Sequence, residues 1–254
     1  MSILSVRGLS KRFGGLQAVK GVSFDVQEGA IKALIGPNGA GKTTLFNLVS
    51  GFLEADSGTI SFRDSEIRGN KPHRIAARGM SRTFQHIRLF PKMSVLETVM
   101  VGRHTHSRSG FIAGMLNLPF TWKEEKRIRE ESLEIIDFLG MGEAVGAEAM
   151  SLPYGGQRIV EIARALACGP KLLLLDEPAA GLNMRETAGM ARLIGRIRDR
   201  GVTVLLVEHD MSLVMNISDE IAVLSYGEKI ADDKPLAIQK NPEVIRIYLG
   251  EENA

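Results

Sequence analysis

The 254-residue sequence has a single cysteine, Cys168, and no long uninterrupted apolar run. One cysteine cannot form an internal disulfide, which is typical of a reducing compartment, and we expect it to be a small buried side chain at a helix end. Aliphatic runs such as Leu172 to Leu175 are far shorter than the roughly 20 residues that cross a bilayer. The opening MSILSVRGLSKRF alternates like a strand and lacks the pattern of a signal peptide. We therefore expect no export, and a membrane role only through a partner.

An excess of charge of one sign is also missing. The sequence has 32 Lys plus Arg against 30 Asp plus Glu, which leaves a formal charge of +2. This balance argues against a nucleic-acid-binding or anionic-lipid-binding surface. There is no repeat of 20 to 50 residues and no low-complexity tract, which argues against solenoids and disordered tails. A hydrophobic content of 44% can instead form a substantial core.

The order of the sequence patterns predicts an α/β protein. Short strands dominate the first third, helical patterns run from about residue 90 to 164, and buried strands then alternate with helices. In the helical part, Ile128, Ile135, Ile136 and Leu139 fall roughly on one face. We expect one domain over 1–254, with a core formed by 1–89 and 165–254 and a helical subdomain at about 90–164.

The segment GPNGAGKTT follows the apolar strand IKALI and precedes the helical LFNLVSG, the setting in which a glycine-rich loop binds phosphate. Its glycines let backbone N–H groups turn towards phosphates, and the helix N-terminus adds a favourable dipole. Lys42 is expected to reach the β- and γ-phosphates, and the Thr43 hydroxyl to bind Mg²⁺. The predicted nucleotide-binding residues here are Gly36, Pro37, Asn38, Gly39, Ala40, Gly41, Lys42, Thr43 and Thr44.

Polar side chains follow two further apolar strands. KLLLLDEP places Asp176 and Glu177 at a strand end, where ligands of α/β sheets gather. Asp176 is expected to hold Mg²⁺ through water, and Glu177 to polarise the water that attacks the γ-phosphate. VTVLLVEHD ends similarly, and His209 can hydrogen-bond that phosphate. Gln85 lies where strand patterns give way to helical ones, and its amide can join or sense the metal shell.

Together these segments resemble the nucleotide-binding domain of ATP-binding-cassette (ABC) transporters. GPNGAGKTT, Gln85, LPYGGQR, LLLLDEP, AGLN and His209 occur in the family's order over nearly the whole chain. The resemblance implies the P-loop NTPase fold of the ABC ATPase type, with a mixed sheet, and a magnesium-dependent ATPase. It implies catalytic roles for Glu177, His209, Lys42 and Gln85, and an adenine-stacking role for Phe13, which can otherwise be a strand-edge core aromatic. Ala180 to Asn183 resemble the loop that crosses the dimer interface.

The signature segment departs from the family consensus LSGGQ. The aligned residues are Leu152, Pro153, Tyr154, Gly155 and Gly156. In the family this segment opens a helix and binds the nucleotide held by the opposite subunit. Proline offers neither a hydroxyl nor an N–H, so the site that this chain completes is expected to be weaker than the consensus one. We therefore hypothesise a functionally asymmetric pair with a second cassette that carries a full signature.

Further stretches resemble the branch that imports branched-chain amino acids, among them RTFQHIRLFPKMSVLETVMVGRH, EHDMSLVMNISD and NPEVIRIYLG. That resemblance implies partners: two integral-membrane subunits, a second ATPase subunit that makes a heterodimer or a homodimer, and a periplasmic or surface binding protein, with no nucleic acid. It implies a position on the cytoplasmic face of the membrane. Urea, an amide or another amino acid stays open as the substrate, as do lipid export and a non-transport ATPase.

An apolar insertion, Phe111 to Phe120, has two interpretations: a docking surface for partner subunits, or a small helix that packs on the helical subdomain. Basic residues stand nearby, at Arg103, His104, His106 and Arg108. They can contact phosphate or lipid, or form a solvated loop.

Overall fold

A computed structural model describes residues 1–103 and 119–250, without the side chains of 119–122 and 249–250. The predicted insertion at 111–120 and the histidines before it therefore lie outside the described residues, apart from the backbone of 119 and 120. Contacts divide the chain into two compact units, Met1–Ile75 with Lys171–Ala254, and Ala76–Pro170. These limits differ somewhat from the predicted 89/90 and 164/165, and the assignment of one domain stays a prediction.

Ten strands and nine helices are described. The strands are β1 Ser2–Phe13, β2 Leu16–Gln27, β3 Ile31–Ile35, β4 Ser57–Phe62, β5 Ser65–Glu66, β6 Met80–Arg82, β7 Leu172–Asp176, β8 Thr203–Val207, β9 Glu220–Ser225 and β10 Glu228–Asp233. The α-helices are α1 Lys42–Val49, α2 Pro72–Ala77, α3 Val95–Arg103, α4 Pro119–Phe138, α5 Tyr154–Ala167, α6 Met184–Asp199, α7 Met211–Ile217, α8 Pro235–Lys240 and α9 Pro242–Gly250.

The first unit contains two sheets. One is antiparallel, in the order β2-β1-β4-β5, and in the other the strands of this unit run in the order β10-β9-β3-β8-β7. β3 pairs in parallel with both β8 and β9, and β7 pairs in parallel with β8. Every residue of β3, β7 and β8 is buried, because parallel strands are covered on both faces. The mixed α/β fold agrees with the sequence prediction.

Several elements of the first unit were not predicted. They are β4, β5, β10, α8 and α9. Their sequences carry weaker signals: β10, with the sequence EKIADD, has no fully buried residue, so it shows no clean alternation of apolar and polar side chains. In the antiparallel sheet, Arg7 on β1 forms an ion pair with Asp25 on β2, at 2.7 Å between guanidinium nitrogen and carboxylate oxygen.

The second unit is mainly helical. It contains α3, α4 and α5, with 3₁₀ turns at Gly142–Ala144 and Ala149–Ser151. Ile128, Ile136 and Leu139 are buried, whereas Ile135 is half-buried. Cys168 caps the C-terminus of α5, as expected of a helix-end residue, but it is only partly buried, so its expected burial was wrong. Among the described residues, no helix is both long enough and apolar enough to cross a membrane.

Candidate active site

The glycine-rich loop connects β3 to α1, which begins at Lys42. Gly36 has φ 148° and Gly41 has φ 99°, backbone conformations that favour glycine. A Cβ atom at Gly36 would overlap the carbonyl oxygen of Leu224, and one at Gly41 would overlap that of Ala18. Both positions therefore require glycine for the close approach of neighbouring strands as well as for the turn.

The Lys42 ammonium lies inside this loop. It donates hydrogen bonds to the carbonyl oxygens of Gly36, at 2.5 Å, and Pro37, at 2.8 Å. Burial lowers the pKa of Lys42, while the nearby Glu177 carboxylate opposes that shift. Lys42 follows β3 and Glu177 follows β7, so both residues lie at the carboxyl-end edge of the same parallel sheet.

The two predicted carboxylates lie at the carboxyl end of β7. Asp176 ends the strand and is only 3% exposed. The next residue, Glu177, has φ 47°, which is rare for any residue except glycine, and its N–H donates to the carbonyl oxygen of Val207 at 2.9 Å. Its side chain is 18% exposed. The turn at Glu177 thus directs the second carboxylate away from the buried position that Asp176 occupies.

His209 follows β8, the strand beside β7. Its Nδ1 atom lies 3.8 Å from a carboxylate oxygen of Glu177 and 3.8 Å from one of Glu208, and its side chain is 64% exposed. These distances are too long for direct hydrogen bonds but place the imidazole beside the predicted general base. Lys42, Glu177 and His209 are therefore grouped at the carboxyl ends of parallel strands.

Glu208 is a residue of this site whose role the sequence did not reveal. It is fully buried, and its carboxylate accepts hydrogen bonds from the N–H groups of Ala179 at 2.8 Å, His209 at 3.0 Å and Asp210 at 3.2 Å. It therefore ties the loop after Glu177 to the loop after β8. A charged residue directly after an apolar strand marks a candidate site residue in the sequence. The sequence does not show that the Glu208 side chain points into the protein.

The remaining predicted residues of the first unit lie at the surface or in the loop. Phe13 ends β1 and is 45% exposed, and the Lys11 ammonium lies 5.7 Å from its ring centroid. Within the loop, Ala40 is buried and donates its N–H to the Pro37 carbonyl, while Asn38 and Gly39 are exposed. An exposed aromatic ring agrees with a stacking role better than with a core position, but the role stays a prediction.

Oxygen donors for a metal are present in this group of residues. Thr43 lies in the first turn of α1 and is exposed, and Thr44 beside it is half-buried. Asp176 is the last residue of β7. Hydroxyl and carboxylate oxygens are the ligands that Mg²⁺ prefers, usually together with substrate phosphates and water. The donor set therefore fits Mg²⁺.

The second unit holds the other predicted residues. Gln85 follows β6; it is exposed, and its carbonyl oxygen accepts a hydrogen bond from Arg158 at 2.5 Å. Pro153 is the N-cap of α5 with extended backbone angles, and it makes no side-chain cap hydrogen bond. Helix geometry leaves the N–H groups of Tyr154, Gly155 and Gly156 without carbonyl partners inside the helix. Leu152, which precedes the cap, is half-buried.

Comparison with known proteins identifies the family. Residues 19–180 match the family described as "ABC transporter", and residues 228–254 match "Branched-chain amino acid ATP-binding cassette transporter". The chain is 46% identical, over 98% of both chains, to the high-affinity branched-chain amino acid transport ATP-binding protein BraF of Pseudomonas aeruginosa. It is 44% identical to LivG of Escherichia coli K12, a protein of the same description, again over 98% of both chains. The chain belongs to the ABC transporter family.

Solved structures agree with this assignment. The ABC transporter cassette MJ1267 in its ADP conformation has a TM-score of 0.86 and 32% identity, over 98% of this chain and 99% of that one. A nucleotide-free cassette from an ABC transporter has a TM-score of 0.85 and 31% identity over the same shares. The predicted P-loop NTPase fold of the ABC ATPase type is thus confirmed, and this cassette is an ATP-binding ATPase.

Proposed function

We propose that this cassette is the ATP-hydrolysing subunit of a transporter that imports branched-chain amino acids. The observation that carries the proposal is the match of residues 228–254 to a branched-chain amino acid cassette family, outside the general ABC segment. Relatives such as BraF, which are named for this transport, match the chain over nearly its full length. The identity of the substrate rests on these relatives, because the cassette itself does not contact the transported molecule.

In the proposed reaction, the glycine-rich loop and Lys42 bind the β- and γ-phosphates of ATP. The Lys42 ammonium, already held within the loop, neutralises charge that develops on the transferred phosphoryl group. Glu177 acts as the general base for the attacking water, and His209, 3.8 Å from that carboxylate, hydrogen-bonds the γ-phosphate. Phe13 stacks on the adenine.

Thr43 and Asp176 are the proposed ligands of Mg²⁺, Asp176 through a water molecule, and Gln85 joins or senses the metal shell. The bound ion would neutralise phosphate charge and orient the terminal phosphate. Asp176 is suited to this role because it is held at a buried strand end, where it has few alternative positions.

The proposed assembly places this cassette on the cytoplasmic face of the membrane, beneath two integral-membrane subunits and beside a second cassette. ATP binding favours the closed dimer because its affinity differs between the open and closed states. A periplasmic or surface binding protein delivers the substrate. Because Pro153 lacks a hydroxyl and an N–H, we propose a heterodimer in which the partner's signature completes the Lys42–Glu177 site.

Measurements of nucleotide binding and hydrolysis test the proposed roles of Lys42 and Glu177. We expect calorimetry to detect Mg-ATP binding by the wild type and by Glu177→Gln, and at least a tenfold weaker affinity for Lys42→Ala, because the ammonium no longer meets the phosphates. Lys240→Ala, at an exposed position of α8, is the matched control. Hydrolysis by Glu177→Gln should fall by about 100-fold or more, since a general base contributes about 10²–10⁴. Unchanged binding by Lys42→Ala would contradict the site.

Transport measurements test the proposed substrate and assembly. The cassette is co-purified with its membrane subunits and second cassette, reconstituted in proteoliposomes, and supplied with binding protein and labelled leucine, isoleucine or valine. ATP-dependent uptake is expected for these and not for urea or a short amide. Uptake confined to urea or an amide would assign another substrate, and outward movement of lipid would reverse the direction. Equal turnover by the chain alone and by the mixed cassette pair would rule out the asymmetric heterodimer.

A further inference from the structure

A buried arginine in the second unit connects two of the predicted functional segments. The Arg158 side chain, on α5, is 2% exposed. Its guanidinium donates to the carbonyl oxygens of Phe84 at 2.8 Å and Gln85 at 2.5 Å, and to the Tyr154 hydroxyl at 3.1 Å. One planar group thus contacts the backbone at Gln85 and a side chain of the signature segment.

Two further residues of α5 extend this arrangement. The Glu161 carboxylate is 1% exposed and lies 3.4 Å from an Arg158 nitrogen and 3.8 Å from an Arg164 nitrogen. Arg164 in turn donates to the carbonyl oxygen of Arg88. The segment from Phe84 to Arg88 is therefore held at its beginning and at its end by arginines of one helix, and Glu161 lies between those arginines.

Stability alone does not account for this arrangement. A buried ion pair is weak evidence for stability, because well-packed apolar residues of similar volume are often as good or better. The hydrogen bonds here are directional: they fix the carbonyl groups of Phe84 and Gln85, while the Gln85 residue remains exposed. A guanidinium can hold two carbonyls and a hydroxyl together because its donors form a rigid fork, which a lysine ammonium lacks.

We infer that Arg158, oriented by Glu161, is a positioning residue that couples the signature segment to the Gln85 segment. This inference rests on the proposed function, in which Gln85 serves the chain's own nucleotide and the signature serves the partner's. Movement of the signature when it meets the partner's nucleotide shifts Tyr154 and Arg158 together, and thereby the peptide at Gln85. The two nucleotide sites are then energetically linked through one helix end.

The test uses the reconstituted transporter with both cassettes. Arg158→Lys keeps the charge but loses the fork, so we expect the Hill coefficient for ATP hydrolysis to fall towards 1. We also expect substrate-stimulated hydrolysis to fall about tenfold, within the usual range of coupling energies. Mg-ATP affinity should change less than twofold, because the Lys42 loop is untouched. Arg129→Lys, at an exposed position of α4, is the matched control and should behave as the wild type.

Tyr154→Phe provides a second variant, because it removes only the hydroxyl at an exposed residue and is expected to fold normally. It should lower the Hill coefficient in the same direction and by less. Unchanged cooperativity and stimulation in folded Arg158→Lys, or in Tyr154→Phe if Arg158→Lys does not fold, would overturn the inference. If Mg-ATP affinity in Arg158→Lys fell about tenfold as well, Arg158 would be a structural residue and not a positioning residue. A wild-type complex that does not hydrolyse ATP would instead refute the proposed function itself.

Discussion

Replacement of Glu208 by glutamine tests whether the buried carboxylate holds the two loops of the active site. One carboxylate oxygen accepts from the Ala179 N–H, and the other accepts from the N–H groups of His209 and Asp210. Glutamine retains one acceptor oxygen, so it can keep the latter two bonds and must turn its NH₂ group towards Ala179. A buried N–H then lacks an acceptor, at a cost of about 1–3 kcal/mol in the free energy of unfolding.

Loss of the hydrogen bond between the Ala179 N–H and Glu208 should be detectable in two assays. Urea-induced unfolding followed by circular dichroism should give a lower midpoint at an unchanged slope. ATP hydrolysis should lose up to about 100-fold in kcat, because a small displacement of Glu177 and His209 misaligns the attack on phosphorus. KM for ATP should change much less, since the Lys42 loop does not contact Glu208 directly in any described hydrogen bond.

The control is Glu228→Gln, where the carboxylate is 60% exposed and pairs with Lys20 at 3.5 Å. Exposed ion pairs contribute about 0–1 kcal/mol, so this variant should stay close to the wild type in both assays. If Glu208→Gln unfolds within 0.5 kcal/mol of the control, a bound that lies well below the stated cost of an unsatisfied buried N–H, the argument for a loop clamp is refuted.

Three further predictions concern the fold around the site. Gly36→Ala should lower the free energy of unfolding by about 3 kcal/mol in a urea titration and abolish ATP binding, because its methyl group overlaps a backbone carbonyl. Gly195→Ala, in open space on α6, is the control and should raise the free energy of unfolding slightly. Asn183→Ala removes the capping box of α6 and should lower the free energy of unfolding by about 1 kcal/mol in thermal unfolding. A lower kcat for ATP hydrolysis in the same variant would show that the adjacent loop is disturbed as well. Burial raises the pKa of Asp25, but hydrogen bonds and the arginine beside it lower it overall, so its contribution to stability is present above about pH 4 and lost at lower pH. Asp25→Asn should therefore have a lower free energy of unfolding than the wild type at pH 7, and in urea titrations this difference should shrink as the pH falls below about 4.

Much of the fold was predictable because its strongest signals are local. The largely apolar runs of β3, β7 and β8 predicted buried parallel strands, and the glycine-rich loop between β3 and α1 predicted a phosphate site. The order of motifs then predicted the family, which the comparisons confirmed. β10 was missed because its residues are at most partly buried, and β4 because only Ile60 and Phe62 of its six residues are buried. Packing against a neighbouring strand determines such strands more than their own pattern does.

Residues that act through long-range contacts could not be predicted. Arg158 and Glu161 read as ordinary charged residues of a helix, yet both are almost fully buried, and Arg158 bonds a segment more than 70 residues earlier in the chain. Glu208 is similar, since its partner Ala179 is 29 residues away. A linear pattern records residue type and spacing along one element, whereas these contacts depend on which elements the fold brings together.

The backbone conformation at Glu177 lowers the stability of the fold, whereas its side chain has a proposed catalytic role. With φ at 47°, this residue occupies a conformation that glycine adopts freely and that costs other residues about 1–2 kcal/mol. Substitution by glycine would therefore relax the turn while removing the carboxylate that is proposed to activate water. Glutamate at this position therefore keeps the carboxylate proposed as the general base, and the turn carries about 1–2 kcal/mol of backbone strain that glycine would avoid.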